Sequence, residues 1–259
     1  MNHVLVILLL SAASAAYQKA NSLFTAGKFP EAATALTEAL RLDPDLVPAL
    51  TLRAKLAMAN NRFEDARHDI EHALSVDPKA EYALFLYGLE AYLTNDMKQA
   101  RPRFRKARQL SPTNPRAALY LGLTCESLGE TAEALNLYRE AVRLEQAKGR
   151  VDAETLLPGA RLLFLLGQIE ESERWTRQAV KAAPNFRDAH FQLARLLLKK
   201  GDAAGAAAEG ETALRLSGVT ITDAQIHYLL IRAWRESGAP EKSATHADIL
   251  RTLEAPSNR

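Results

Sequence analysis

The sequence predicts an all-α fold, an α-solenoid of about seven helix-turn-helix repeats. Pro44, Pro78 and Pro112 stand 34 residues apart, and a helical pattern precedes each of them. A proline that returns at such a fixed interval marks the end of a repeated helix pair. When these prolines take position 32 of a 34-residue unit, small residues recur at positions 8, 20 and 27, where two helices must approach closely. In the first four units these residues are Ala20, Ala32, Ala39, Ala54, Ala66, Ala73, Gly88, Ala100, Ala107, Gly122, Ala134 and Ala141.

The second unit shows how each repeat is built. An apolar helical run over 49–59 precedes a turn at Asn60 and Asn61, and a second helical run over 62–75 follows. Applied along the chain, the same template predicts repeats 1–4 over 16–148, an insertion at 149–152 and repeats 5–7 over 153–259. Glycines hold the equivalent turn position in most other units: Gly27, Gly129, Gly167, Gly201 and Gly238.

Three departures from the template mark places where the array changes. Gln146 stands where the fourth unit should have its proline, and Gly210 stands where the sixth unit should have a large side chain. We expect altered curvature or a softer core at these points, because glycine buries little. The seventh unit has Ile231, Ser243 and Leu250 at the small positions, so it is a degenerate C-terminal cap.

Composition limits the class of protein. The 259 residues are 47% apolar, and 33 basic against 31 acidic residues give a net charge of +2. Dedicated nucleic-acid binders usually carry a clear basic excess, so we expect no nucleic-acid partner. The lone Cys125 can form neither an internal disulfide nor a cysteine zinc cluster.

The N-terminus has the pattern of an export signal. The apolar run at 4–10 leads to Ala13 and Ala15, which are spaced like the small residues before a signal-peptidase cut. We therefore expect a signal peptide at 1–15 and a periplasmic or extracellular protein. The run is shorter than the roughly 20 residues that span a bilayer. Two alternatives remain open: an uncleaved helix that tethers the chain to a membrane, and a plain first helix of the array.

The repeat pattern resembles that of the tetratricopeptide repeat family. Leu121-Gly122, Tyr87-Gly88, Phe104, Tyr138 and the three early prolines carry the resemblance, which covers nearly the whole chain after the signal. It implies a right-handed superhelix whose concave groove binds protein or peptide ligands, with no enzymatic activity and no cofactor. With export, the natural context is envelope assembly or secretion.

The resemblance also implies which residues line the groove, namely positions 2, 5, 9, 12 and 13 on the first helix of each unit. In the first four units these include Tyr17, Asn21, Phe24, Lys55, Tyr82, Phe85, Leu89, Tyr92, Arg116 and Leu123. In the last three they include Arg161, Phe164, Phe191, Arg195, Tyr228, Arg232 and Arg235.

The groove should be apolar and aromatic at its N-terminal end and basic at its C-terminal end. Arg161, Arg195 and Arg232 share position 9 of successive units, which predicts an acidic partner segment there. Two interpretations stay open. The arginines could instead pair inside the array, for example with Glu236, and the aromatic cluster that includes Tyr82 could pack between repeats.

Other functions have weaker signals. His68 and His72 lie in a His-x-x-Glu-His pattern that resembles a zinc peptidase motif, but they should face solvent on an outer helix, so we expect no metal site. Groove residues that other members of the family use to clamp a carboxylate match only at Asn21 in the first three units. The last helix, about 241–253, should expose Ile249 and Leu253, so the alternative function is self-association into a homodimer.

Overall fold

The computed structural model describes the backbone of residues 3–255 and the side chains from residue 8. That part of the chain holds fourteen α-helices and no strand. They are α1 (His3–Thr25), α2 (Phe29–Leu42), α3 (Val47–Ala59), α4 (Phe63–Val76), α5 (Glu81–Leu93), α6 (Met97–Leu110), α7 (Pro115–Ser127), α8 (Thr131–Ala147), α9 (Ala153–Leu165), α10 (Ile169–Ala182), α11 (Arg187–Lys199), α12 (Ala203–Arg215), α13 (Asp223–Glu236) and α14 (Pro240–Glu254). The all-α fold class is confirmed.

Short turns join the two helices of each hairpin. Gly27, between α1 and α2, has a φ of 74°, and Asn61, between α3 and α4, has a φ of 57°. Both values lie in the left-handed region, which glycine adopts freely and asparagine more readily than most residues. These residues stop one helix and turn the chain back antiparallel within a few residues, which is why the repeat is so short.

The chain divides into two compact units, of which the first is Met1–Glu130. It contains the hairpins α1/α2, α3/α4 and α5/α6, and α7 packs against α6. The small residues that define the repeat are fully buried here, as the close approach of two helices requires. Gly88 shows how close the approach is, because a Cβ atom at this position would lie 2.5 Å from the Phe104 ring. Phe104 itself is completely buried.

Buried ion pairs tie the second and third hairpins of this unit together. Glu90 of α5 is inaccessible to solvent and accepts hydrogen bonds from Arg67 Nη2 at 2.7 Å and Arg103 Nη1 at 3.0 Å. The Arg103 guanidinium also lies 3.5 Å from the centroid of the Tyr87 ring. The carboxylate is thus compensated by two cations, which is the condition for burying a charge.

The second unit is Thr131–Arg259. In its described part, α8 packs against α9, and the hairpins α9/α10, α11/α12 and α13/α14 follow. Helix α8 has 17 residues where α10 has 14, because Gln146 does not end the helix as a proline would. The Glu145 carboxylate accepts bonds from the Asp152 backbone N–H and the Thr155 hydroxyl, each at 2.8 Å. This side chain therefore fixes the extra loop at 149–152 to the start of α9.

The glycine in the sixth repeat does not leave a gap. A Cβ atom on Gly210 would lie 2.8 Å from Leu230 Cδ2, so a leucine of α13 fills the space that a large side chain of α12 would occupy. Leu230 is fully buried. The neighbouring helix thus fills the space beside Gly210, while altered curvature or softness of this repeat stays a prediction.

Helix α1 continues through the expected signal-peptide cut after Ala15. Ala13 is fully buried, whereas Leu8 and Leu10 are largely exposed. Over the residues that the structure describes, no helix is at once long and apolar enough to cross a membrane.

Candidate functional site

The first helices of the first unit form an open cleft of about 520 Å³. It is lined by side chains of α1, α3 and α5, which stand side by side because each leads its own hairpin. Five of the sequence-predicted groove residues meet here: Tyr17, Asn21, Phe24, Lys55 and Tyr82. The lining combines aromatic surface with a few polar groups, which is the usual composition of a ligand site.

Ring and cation contacts fix the walls of this cleft. The Lys55 ammonium lies 4.5 Å from the centroid of the Phe24 ring, and Phe24 in turn lies 5.4 Å from Phe29. Tyr82 stacks on Phe85 with their centroids 6.4 Å apart. Such contacts restrict the side-chain rotamers, so the aromatic walls are formed before any ligand arrives.

Charged side chains of both signs surround the cleft. Burial lowers the pKa of Lys55, and the nearby Arg116 guanidinium of α7 lowers it further. Burial raises the pKa of the Tyr82 hydroxyl, an effect that Arg116 partly opposes. Asp77 and Glu81 also line the cleft, where Asp77 accepts a bond from the Lys79 backbone N–H at 2.9 Å and Glu81 accepts one from the Ser111 hydroxyl.

The other groove candidates of the first unit are buried to different extents. Phe85 is only 5% exposed and contacts the Phe104 ring at 5.8 Å and the Tyr120 ring at 5.6 Å. Tyr92 is half-buried with its ring edge-on to Tyr120 at 5.7 Å. Leu89 and Leu123 are half-buried as well, and Arg116 is exposed. The packing interpretation therefore holds for Phe85, while Tyr82 faces the cleft.

In the second unit, Arg195 contacts Phe164 and Gln192. Its guanidinium lies 4.6 Å from the Phe164 ring centroid and donates to Gln192 Oε1 at 3.0 Å. Burial lowers the pKa of Arg195, and the positive charge of Arg161 lowers it further. Gln192 Nε2 is buried without a hydrogen-bond partner among the described residues.

The remaining residues predicted for this unit differ in their surroundings. Arg232 Nε donates to Glu236 one turn along α13 at 2.7 Å, the internal pairing that the sequence left open. Tyr228 is 58% exposed and its hydroxyl donates to Glu254. Phe191 is half-buried against the core of the last two hairpins, and Arg235 is exposed.

The sequence did not predict two groups of residues: those that line the cleft at helix starts, and side chains that pair between helices. Val47 and Ala80 line the cleft at helix starts, where the repeat template assigns no groove position. The buried hydrogen-bonded pair His227 and His246 was missed as well, because it depends on which side chains of α13 and α14 meet. No short sequence signal identifies either group.

Among the described residues, the two histidines of the His-x-x-Glu-His pattern do not form a metal-binding group with a third ligand. His72 Nε2 is bonded to the Asp45 carboxylate at 2.8 Å, and the His68 side chain is 80% exposed. In the part of the chain that the structure describes, no third ligand atom joins these two histidines to complete a metal-binding group.

Consecutive antiparallel helix pairs within each unit define a helical-repeat protein. One tetratricopeptide repeat model matches residues 51–115, 88–149 and 157–218, and a second matches residues 13–46. These matches span more than half of the sequence, so the chain belongs to the tetratricopeptide repeat family. A search of curated protein sequences gave no match.

Solved structures share the fold at low sequence identity. PilW, a type IV pilus biogenesis factor, is 20% identical with a TM-score of 0.70, over 82% of this chain and 96% of PilW. YrrB, described as having an unusual peptide-binding site, is 20% identical with a TM-score of 0.57, over 80% of this chain and 99% of YrrB. The pilF protein of Pseudomonas aeruginosa is 20% identical with a TM-score of 0.55, over 95% and 94% of the two chains.

Proposed function

We propose that this protein is a non-enzymatic scaffold that binds a peptide or protein segment along the first helices of its repeats. The observation that carries the proposal is the cleft between α1, α3 and α5, where Tyr17, Phe24 and Tyr82 offer aromatic surface to a ligand. Aromatic side chains in a preformed hollow supply much of the binding energy at protein interfaces. The cleft is open along its length, which suits a polypeptide better than an enclosed small molecule.

The proposal extends to a second contact on the second unit, where Arg161 and Arg195 would bind an acidic part of the partner. Arg195 is held in place by Phe164 and Gln192, so little side-chain entropy is lost when a carboxylate binds it. Arg232 contributes less, since Glu236 already neutralises it.

We further propose that the protein is exported and acts in envelope assembly or secretion. The signal-like segment at 1–15 supports export, and the fold likeness to a type IV pilus biogenesis factor favours this context. A cut after Ala15 keeps Tyr17 and Asn21 in the mature chain. Membrane tethering through an uncleaved segment is the alternative, and the mass of the purified native protein separates the two.

Crosslinking in the native host tests the scaffold function. A photoreactive amino acid at Asn21, inside the cleft, should capture a specific partner, whereas the same group at the exposed Thr37 of α2 should not. The captured partner is then purified and titrated against the wild type and a Phe24→Ala variant. Equal capture at both positions, or equal affinity of both proteins, would contradict the proposal.

Self-association is the second candidate function. Ile249 and Leu253 of α14 are 39% and 52% exposed, which leaves an apolar stripe on the last helix. If this stripe forms a homodimer, sedimentation velocity over a hundredfold range of concentration should show a dimer in the wild type and a monomer in a Leu253→Lys variant. A wild-type monomer throughout would remove this candidate.

A further inference from the structure

A hollow lies in the second unit where the extra loop at 149–152 meets the loop at 183–186. It has a volume of about 880 Å³ and is lined by both loops and by the adjoining ends of α9 and α10. Val151, Ala183 and Phe186 give it an apolar surface, since each is half-buried against the core of this region. Because the four extra residues build one of its walls, a regular 34-residue repeat would not contain this hollow.

Buried side chains hold both loops in place. The Glu145 carboxylate accepts a hydrogen bond from the Asp152 N–H at 2.8 Å, at the end of the extra loop. His190 Nε2 donates to the Pro184 carbonyl oxygen at 2.8 Å, in the second loop. The walls of the hollow are therefore formed before any ligand arrives, which lowers the entropic cost of binding.

The loop at 183–186 differs from the equivalent loops of the first two repeats. In the first repeat, the Asp43 carboxylate accepts a hydrogen bond from the Asp45 N–H at 3.1 Å, and Asp77 makes the same contact in the second repeat. Ala183 holds this position in the fifth repeat and has no side-chain acceptor. Among the described residues, the Asn185 N–H consequently has no acceptor, so it can donate to a carbonyl oxygen of a bound segment.

The charged side chains of the lining favour a cation. Arg150 Nη2 pairs with Asp152 Oδ2 at 2.9 Å. Glu154 is exposed and has no ion-pair partner in the described part of the chain. One carboxylate is thus left over at the edge of an apolar hollow, and it attracts a positively charged side chain of a ligand.

We propose that this hollow binds a part of the partner segment in which an aliphatic side chain stands next to a lysine or arginine. The aliphatic side chain packs on Val151 and Phe186, while the cation pairs with Glu154. A backbone carbonyl of the segment accepts the hydrogen bond of the Asn185 N–H. This inference rests on the proposed peptide-binding function and adds a contact whose charge preference is opposite to that of the aligned arginines.

A defined peptide, acetyl-Gly-Leu-Arg-Leu-Gly-amide, provides the probe, and amide NMR of the purified protein shows where it binds. Titration should shift the signals of residues 151, 154, 185 and 186 in a saturable way. A peptide with glutamate in place of arginine should bind about tenfold more weakly, because its charge is repelled by the leftover carboxylate. A peptide with glycine in place of both leucines should also bind more weakly, because it buries less apolar surface.

Two variants test the residues of the hollow. Glu154→Gln should lower the affinity for the arginine peptide by about threefold, as the loss of one exposed ion pair predicts. Glu241→Gln makes the same charge change on the exposed start of α14 and should bind as the wild type does. Ala183→Asn supplies a side-chain acceptor for the Asn185 N–H, so it should weaken binding without lowering the thermal stability.

The possible results separate this inference from the scaffold function. Saturable shifts confined to the cleft around Tyr17, Lys55 and Tyr82, or equal affinity for the arginine and glutamate peptides, would overturn the inference and leave the scaffold function intact. The absence of any saturable shift would overturn it as well, whereas the scaffold function is tested independently by crosslinking from Asn21.

Discussion

His227 and His246 share a hydrogen bond between their Nδ1 atoms, which lie 2.9 Å apart in the interior of the second unit. His246 Nε2 is bonded to the Glu211 carboxylate at 3.0 Å, so that nitrogen must donate. When both rings are neutral, His246 Nδ1 therefore accepts and His227 Nδ1 donates. One added proton, on Nε2 of His227, leaves this hydrogen bond intact, but a second proton would place two N–H donors face to face.

This arrangement predicts that the second unit loses stability in acid. Burial lowers the pKa of His227, and the neighbouring His246 lowers it further, whereas Asp223 and Glu211 oppose the change. Between the lowered folded pKa and the unfolded value of about 6.5, the unfolded chain binds more protons, so the free energy of unfolding decreases as the pH falls.

Urea unfolding from pH 8 to pH 5 measures this effect. A His227→Phe/His246→Leu variant should show a smaller loss between pH 7 and pH 5 than the wild type does. His68→Gln serves as the control, because His68 is exposed and should leave the pH profile unchanged. Wild-type and double-variant profiles of the same slope would show that the histidine pair does not sense pH.

Gly88 should tolerate no side chain. In Gly88→Ala, the new methyl group would overlap the buried Phe104 ring, and overpacking of this kind costs about 1–3 kcal/mol. Thermal unfolding of the single variant and of Gly88→Ala/Phe104→Leu measures the cost. Gly88→Ala should cost less stability in the Phe104→Leu background than in the wild type, because the smaller leucine leaves room for the methyl group. Strictly additive losses of stability would indicate that the two sites are not in contact.

Glu90 should be among the most sensitive carboxylates of the first unit. Replacing it with Ala leaves Arg67 and Arg103 without their buried partner, and removal of one member of a buried ion pair costs about 3–5 kcal/mol. Glu38→Ala on the exposed face of α2 removes a carboxylate that also pairs with an arginine, yet it should change the stability little. Similar losses in both variants would contradict the stabilising role of burial and shared pairing.

The aligned arginines of the second unit should not contribute equally to partner binding. Arg195→Ala should lower the affinity for the crosslinked partner by about tenfold or more, since the variant loses a guanidinium that contacts Phe164 and Gln192. Arg232→Ala should have a smaller effect, because Glu236 already pairs with Arg232. Calorimetric titration at low and high salt measures both variants, and a larger loss for Arg232→Ala would reverse this ranking.

Much of the fold could be predicted from the sequence because the repeat encodes close helix contacts in small residues. Ala54 and Ala160 are fully buried for this reason. The core around Gly210 could not be predicted, since the compensating Leu230 belongs to the next hairpin. Local spacing describes one helix pair well, but it does not describe how side chains of successive pairs divide the space between them.

The site was predictable in outline and not in detail. The template places Tyr17, Lys55 and Tyr82 on first helices, and they do line one cleft. The template could not separate Tyr82 from the buried Phe85, because exposure at these positions depends on neighbouring rings.

The most direct measurement of the central claim is amide hydrogen exchange of the purified protein, with and without a saturating amount of the partner segment identified by crosslinking. If the first helices form the binding surface, slower exchange should concentrate in α1, α3 and α5, around Tyr17, Lys55 and Tyr82. Protection confined to α2, α4 and α6, with unchanged exchange in the first helices, would contradict the account.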